Sequence, residues 1–229
     1  MRLAVVVPVF NEVTSIASTL ARLQPLRVRG AQVIVVDGGS TDASLAIAKP
    51  HADQLLTSPR GRSQQMNAGA KAAIAGGADV LMFLHADSEL PDSADCLIDS
   101  ALRTSGRAWG RFDVRIDGPP MLGIVSAMMN LRSRLTGIVT GDQGIFVTRT
   151  AFEQLGGFAP IALMEDIEFA KRAKQLSWPA AISTRIVTSG RRWQRHGIWR
   201  TIVLMWRFRA AYFFGADPQR LAQRYRDAR

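Results

Sequence analysis

Val5-Val6-Val7-Pro8-Val9-Phe10-Asn11-Glu12 and Val33-Ile34-Val35-Val36-Asp37-Gly38-Gly39-Ser40-Thr41-Asp42 decide the fold. Each is a short apolar run that ends on polar and acidic residues, and Val80-Leu81-Met82-Phe83-Leu84-His85-Ala86-Asp87 repeats the pattern. Continuous apolar runs of this length suit parallel strands buried on both faces, with polar side chains delivered at the strand C-termini, where open α/β sheets bind ligands. A carboxylate at the edge of a core is costly unless it is paired, metal-bound or in use. A fourth acidic group, Met164-Glu165-Asp166, follows much later in the chain. Together they point to an enzyme that handles a nucleotide.

Working outward, the first hundred residues alternate strand and helix patterns at the spacing of βαβ units. Strands are expected over Leu3–Val9, Gln32–Val36, Asp53–Thr57 (a short edge strand) and Asp79–Leu84. Helices are expected over Thr14–Leu23, Ala43–Ala48, Gln64–Ala75 and from Pro91 to Leu102. Thr14 or Asn11 can cap the first of these and Asp42 the second, and Gly76-Gly77 stops the third. Beyond Ser105, Trp109–Ile116 and Gly144–Thr148 read as strands, Met121–Leu135 and Glu165–Leu176 as helices. This half is expected to extend the same sheet and form the second wall of the cleft. No Gly-x-Gly-x-x-Gly turn and no phosphate loop with Gly-Lys-Ser/Thr is present, which argues against a dinucleotide oxidoreductase and a P-loop NTPase.

A chain of 229 residues with 47% hydrophobic content can bury a sizeable core. The single cysteine, Cys96, excludes an intramolecular disulfide and is expected to be a small buried residue. The N-terminus enters a strand with no charged leader or long apolar segment, so a cytoplasmic location is expected. The formal charge is +10, and residues 185–229 carry eleven arginines against Asp217 and Asp227, so nearly all the excess lies in a cationic tail.

The motifs each carry two readings. Asp37-Gly38-Gly39-Ser40-Thr41-Asp42 is either a ligand turn, with Asp37 accepting from a base or ribose, or a capped strand-to-helix turn. His85 and Asp87, alternate residues of an extended segment, can converge on one point. Asp87 suits a hard cation shared with diphosphate oxygens, whereas His85 is more typical of a hydrogen-bonding residue than of a magnesium ligand. Arg62, beside Arg60 at a helix entrance, is either a phosphate contact or a solvated cation. Glu165 and Asp166 at a helix start either complement the helix dipole or form a carboxylate pair, one of which acts as a general base.

The ordered set resembles the family 2 glycosyltransferases, inverting enzymes of the GT-A fold. Pro8, Asn11 and Glu12 lie in what looks like the first-strand signature, Asp37 in the nucleoside turn, and His85-Ala86-Asp87 where an Asp-x-Asp metal motif belongs. Gly141-Asp142-Gln143 through Phe158 looks like the acceptor-side segment, and Glu165-Asp166 like the pair whose aspartate is the base. Gly141-Asp142-Gln143 and Arg191-Arg192-Trp193 further resemble a small bacterial subgroup. Two departures stand out: Gly38 replaces a second aspartate, and His85 the first residue of Asp-x-Asp.

The resemblance implies an α/β, GT-A-type single domain with a mostly parallel, Rossmann-like sheet flanked by helices and a basic C-terminal helical tail. It implies a catalytic domain over 1–195, its nucleotide half 1–105 and acceptor half 106–195, followed by amphipathic helices over 196–229. It implies a nucleotide-diphosphate sugar held by Pro8, Asn11, Glu12, Asp37, Arg62 and Asp87, with Mg or Mn at Asp87. Asp166 is then the base. Asp142, Gln143, Glu165, Arg191, Arg192 and Trp193 touch the acceptor or the diphosphate, Trp193 by stacking on a sugar face. The acceptor is a hydroxyl compound, lipid-linked ones included.

The tail raises its own question. Ile198 through Phe214 is apolar but interrupted by Arg200, Arg207 and Arg209, too broken for a span of about twenty apolar residues. Arginine among Trp and Phe suits a helix on an anionic membrane, peripheral at the inner face; the competing expectation is a helix docked on the core with snorkelling arginines. A nucleotidyltransferase lacks its Gly-rich basic loop here. A nucleic-acid module is disfavoured by the acidic strand ends, so no nucleic acid is expected.

Overall fold

The computed structural model describes residues 1–227, without the side chains of residues 192, 195, 196 and 225–227. In chain order the elements are β1 (Leu3–Val9), α1 (Ile16–Val28), β2 (Gln32–Asp37), α2 (Ser44–Ala48), β3 (Gln54–Thr57), α3 (Arg62–Ala75), β4 (Val80–Phe83), β5 (Ser88–Glu89) and α4 (Ala94–Ser105). They continue as β6 (Trp109–Asp117), α5 (Pro120–Thr136), β7 (Ile145–Thr148), α6 (Arg149–Leu155), α7 (Glu165–Leu176), β8 (Ala180–Ser189), α8 (Arg191–His196), α9 (Ile198–Phe213) and α10 (Pro218–Asp227).

One eight-stranded sheet runs in the order β3-β2-β1-β4-β7-β6-β8-β5. β1 lies parallel between β2 and β4, and β3 closes one edge. β1 is buried along its whole length, and its pleat sends alternate side chains to opposite helical layers. Val5, Val7 and Val9 join Leu20, Leu23 and Leu26 of α1; Ala4 and Val6 join Met66, Ala70 and Ala73 of α3. A run apolar on both faces is therefore what this central position requires.

The second half does extend the sheet, with a change of direction. β7 runs antiparallel between β4 and β6, and β5 runs antiparallel to β8. β6 and β8 are parallel, with an irregularity between Phe112 and Asp113. The sheet is thus mixed: the expected parallel character holds for β3-β2-β1-β4 and for the β6–β8 pair.

Three local expectations are corrected. Helix α1 continues five residues past Leu23 and contains Pro25. An interior proline costs about 3 kcal/mol, but fully burying a leucine returns about 1.5–3 kcal/mol, and Leu26 beyond it is fully buried. Cys96 is exposed, because α4 turns Ala94 and Ile98 inward instead. β8, β5, α6 and α8 were not foreseen; β8 is broken by exposed Ser183, Thr184 and Arg185, and β5 is two residues long.

The tail packs on the body. Phe208 of α9 and Leu221 of α10 are buried with Met164 just ahead of α7. Ile198 and Ile202 pack on the cluster containing Val125 and Met129 of α5. The expected helical segment 196–229 is described as far as residue 227, and within the described residues no helix is long and apolar enough to cross a membrane.

Candidate active site

The ends of β1 and β2 are stitched together before any ligand arrives. Asn11 sits in the left-handed region (φ 53°), where its short amide side chain is tolerated, and its Oδ1 accepts from Thr41 N at 2.9 Å. Asn11 N donates to Ser40 Oγ, Glu12 N to Ser44 Oγ and Val13 N to Asp42 Oδ2. The Ser44 contacts hold the Asp42 carboxyl below its usual range. Asp37 is buried, its carboxylate accepting from Gly39 N (2.8 Å) and Ser40 N (3.0 Å). Asp37 shapes its own loop at the strand end, and α2 starts behind Ala43 without a side-chain cap; Asp42, expected as that cap, lies one residue earlier and accepts from Ser44 N at 2.9 Å. Beneath the loop, Gln65 Nε2 donates to Val9 O and Val36 O, both at 2.8 Å. A Cβ at Gly38 would meet the Gln65 amide at 3.1 Å, so a larger residue at 38 competes with that brace.

At the end of β4 the chain turns. Residues 86 and 87 are not extended, and Ser88 N bonds His85 O at 3.1 Å. The alternation argument for His85 and Asp87 therefore fails. His85 instead points at the Gly141–Gln143 turn, its Nδ1 3.2 Å from Asp142 Oδ1 and its far ring edge packed where a Cβ at Gly141 would stand. Gly141 N in turn donates to Asp166 Oδ2 at 2.8 Å, and the other oxygen of Asp166 accepts from Ile167 N at 2.7 Å. His85, Gly141, Glu165 and Asp166 line one recess with Pro8, Met66 and Phe83, so both halves of the chain meet there.

Glu165 and Asp166 open α7 behind Met164, whose φ of 70° is uncommon for a residue with a side chain. Met164 is held in that conformation by burial against Phe208 and Leu221, so the tail helps to fix where the acids point. Burial pushes the Glu165 carboxyl up, and the neighbouring Asp166 pushes it further, while Arg62, at the first position of α3 and within electrostatic reach, pulls in the opposite direction.

The remaining candidates divide. Arg191 donates to Thr14 Oγ1 and to Ser189 Oγ, tying β8 to the entrance of α1. The side chain of Arg192 lies outside the described residues. Gln143 is fully buried: its Oε1 accepts from Thr140 N, and its Nε2 reaches Ser133 Oγ at 2.9 Å. Trp193 is buried among Val114, Ile116, Leu122 and Val125. These two support the turn and the core, and the stacking platform expected of Trp193 is not formed. Sequence reasoning passed over Arg132 of α5 and Arg209 of α9, which lie within electrostatic reach of Asp142 and Asp166. The signal available was an arginine inside otherwise apolar helical runs.

The donor set bears on a cation. Asp87 is half-buried, and its carboxylate has no hydrogen-bonding or ionic partner among the described residues. Among those residues no three His, Cys, Asp or Glu side chains gather as a metal cage. This fits a hard cation that takes one carboxylate and completes its shell from diphosphate oxygens and water.

Comparison with known proteins follows the same lines. The model of the family described as Glycosyl transferase family 2 matches residues 4–133. Succinoglycan biosynthesis protein ExoA of Rhizobium meliloti (strain 1021) is 31% identical over 107 residues, 44% of this chain and 32% of ExoA, so the chain spans about a third of that relative's length. The S. aureus TarS 1–349 structure superposes with a TM-score of 0.67 at 16% identity, over 83% of this chain and 61% of that one. The mannosyltransferase PcManGT from Pyrobaculum calidifontis, in complex with GDP-Man and Mn2+, gives 0.61 at 22% identity over 81% and 56%. Glucosyl-3-phosphoglycerate synthase from Mycobacterium tuberculosis, in complex with Mn2+, UDP and glucosyl-3-phosphoglycerate, gives 0.59 at 20% over 82% and 70%. These likenesses establish the GT-A fold.

Proposed function

The chain belongs to glycosyl transferase family 2, and from that premise we propose that it transfers a sugar from a nucleotide-diphosphate sugar to a hydroxyl acceptor, with inversion and with a divalent cation. The observation that carries the reading is the meeting of Asp166 with the end of β4, through Gly141 N–H to Asp166 Oδ2 at 2.8 Å and His85 to Asp142 at 3.2 Å. A carboxylate already oriented by two backbone N–H groups is a preorganised base.

The donor lies over Pro8, Asn11, Glu12 and Asp37, with its diphosphate toward Asp87 and Arg62. Asp87 would hold Mg or Mn, which supplies Lewis-acid stabilisation of the leaving diphosphate. Asp166 accepts the proton of the acceptor hydroxyl as that oxygen bonds to the anomeric carbon. The bond from that carbon to the diphosphate oxygen breaks, and the electron pair leaves with the nucleoside diphosphate. Attack opposite the leaving group inverts the centre. Glu165, largely buried and tuned upward, orients the acceptor beside it, with Asp142. Arg191 and Arg192 close the diphosphate side; Gln143 and Trp193 act by holding the turn and α5. The Gly-Asp-Gln and Arg-Arg-Trp motifs are the basis on which the chain is taken as a member of a small bacterial subgroup, with Gly141, Gln143 and Trp193 as supporting residues. The catalytic domain is taken as residues 1–195 and the tail as 196–229, working at the inner face of a membrane as a peripheral protein.

The test is a thermal-shift screen of UDP-, GDP- and TDP-sugars with and without manganese, since a ligand of the native state raises the melting temperature. One nucleotide series is expected to stabilise the protein, more so with manganese. Asp87→Ala should lose the manganese increment. Asp166→Asn should keep donor binding and lose about 10²–10⁴-fold in turnover. No stabilisation by any nucleotide sugar overturns the reading.

A further inference from the structure

Arg132 and Arg209 form a cationic pair that none of the roles above uses. They come from different helices, α5 and α9, yet each lies within electrostatic reach of the other and of Asp142 and Asp166. Nε and Nη2 of Arg132 and Nε of Arg209 are buried and have no hydrogen-bond partner. Burial lowers both guanidiniums, Arg132 to about 10, and the Arg209 charge lowers Arg132 further. Both remain charged at neutral pH.

Two like charges brought together out of water, with donors unmet, are costly unless an anion completes them. Asp142 and Asp166 supply nearby negative charge, but neither carboxylate accepts from the buried Nε and Nη2 of Arg132 or Nε of Arg209. The planar guanidinium fork matches phosphate and carboxylate oxygens. Its position also selects the acceptor over the donor, because α5 packs on β6 and α9 packs beside Met164, both in the second half of the chain, whereas the donor is assigned to β1, β2 and α3. We propose that the acceptor carries an anionic group, a phosphate or carboxylate, which seats between Arg132 and Arg209 and so presents its hydroxyl to Asp166. This rests on the glycosyl-transfer reading and deepens it by naming the acceptor class. The anion takes no part in bond making; it fixes where the hydroxyl stands.

The experiment titrates inorganic phosphate into the full chain without nucleotide, by calorimetry, alongside a separate titration with UDP, GDP and TDP. Saturable phosphate binding is expected, weakened tenfold or more in Arg132→Gln and in Arg209→Gln, unchanged in Asp87→Ala, and tightened in Asp166→Asn by removal of a nearby negative charge. Arg132→Lys, which keeps the charge and loses the fork, should fall between wild type and Arg132→Gln. Methyl phosphate and dodecyl phosphate then separate the sources: equal affinity assigns a small soluble acceptor, and much tighter dodecyl phosphate a lipid one. Absence of phosphate binding by the wild type, or equal binding by both Gln variants, overturns the proposal. Failure of every nucleotide to bind, with the phosphate results intact, instead overturns the donor reading.

Discussion

Glu165 shows how one buried acid can be read through pH. Its carboxyl is raised by burial first and by Asp166 second, so the folded chain holds a proton that the unfolded chain releases nearer the ordinary value. Between the ordinary and the raised values stability therefore falls as pH rises, and below the ordinary value the penalty is gone. Glu165→Gln removes the titration. Its melting temperature should exceed that of the wild type near neutral pH, and the advantage should vanish by about pH 4. A difference that stays constant with pH would assign the effect to packing instead. At this scale the strand-end acids and Asn11 were legible, because an apolar run leaves few places for a carboxylate. The partner of His85 was not, since a two-residue turn at 86–87 replaces extended backbone. Nor was the burial of Gln143 and Trp193, which depends on α5 arriving from elsewhere in the chain. Arg132 and Arg209 hid for the same reason: a guanidinium within a helix reads as solvated until a second helix covers it.

Among the elements, α3 most directly couples packing to the site. Its first turn holds Arg62 within electrostatic reach of Glu165, Gln65 braces the β1 and β2 ends, and Asn67 pairs with both backbone groups of Phe158 ahead of α7. The helix reaches the sheet this closely at Gly69, where an added Cβ would overlap Val6 and come within 3.0 Å of Val36 Cγ2. Both valines are fully buried in adjacent central strands and have nowhere to move. Gly69→Ala would gain about 1 kcal/mol of helix propensity, but overpacking a rigid core costs about 1–3 kcal/mol and a shifted α3 also pulls at Gln65. A lower denaturation midpoint, together with weaker nucleotide binding, is the expected outcome; a more stable variant would show that α3 has slack. The helices and strands of the first half could be located from periodicity because each is a complete βαβ unit. β7 was legible as a strand over Gly144–Thr148, but its antiparallel direction, and β8 with its half-exposed pattern, depend on long-range pairing that carries no local signature.

The whole molecule has a polarity that neither residue nor element reveals alone. Residues 185–229 hold eleven arginines against two aspartates, and the tail within them does pack on the body through Phe208 and Leu221. The two tail readings are thus compatible, because the same helices turn another face outward. On α5, Ile124, Met128, Leu131 and Leu135 follow a spacing of four, three and four and are all exposed. On the adjoining α9, Trp199, Val203, Trp206 and Phe213 are likewise exposed, at spacings of four, three and seven, with Phe214 at 84% exposure and Arg200 and Arg207 exposed among them. Exposed apolar residues repeated along two helices that pack together are uncommon on a surface meant to stay in water, and tryptophan beside arginine suits the headgroup region of an anionic bilayer. Truncating the tail would test this poorly, since it would also strip the packing from Met164. A Trp199→Ser, Trp206→Ser double variant leaves Phe208 and Leu221 in place. The intact protein should sediment with anionic vesicles, poorly with neutral ones, and less as salt rises, because each engaged arginine contributes about 1 kcal/mol and the Debye length is about 10 Å at 0.1 M. The double variant should lose most of that binding at an unchanged melting temperature. If the intact protein ignores anionic vesicles at low salt, the outward stripes serve some other partner and the peripheral-membrane assignment fails.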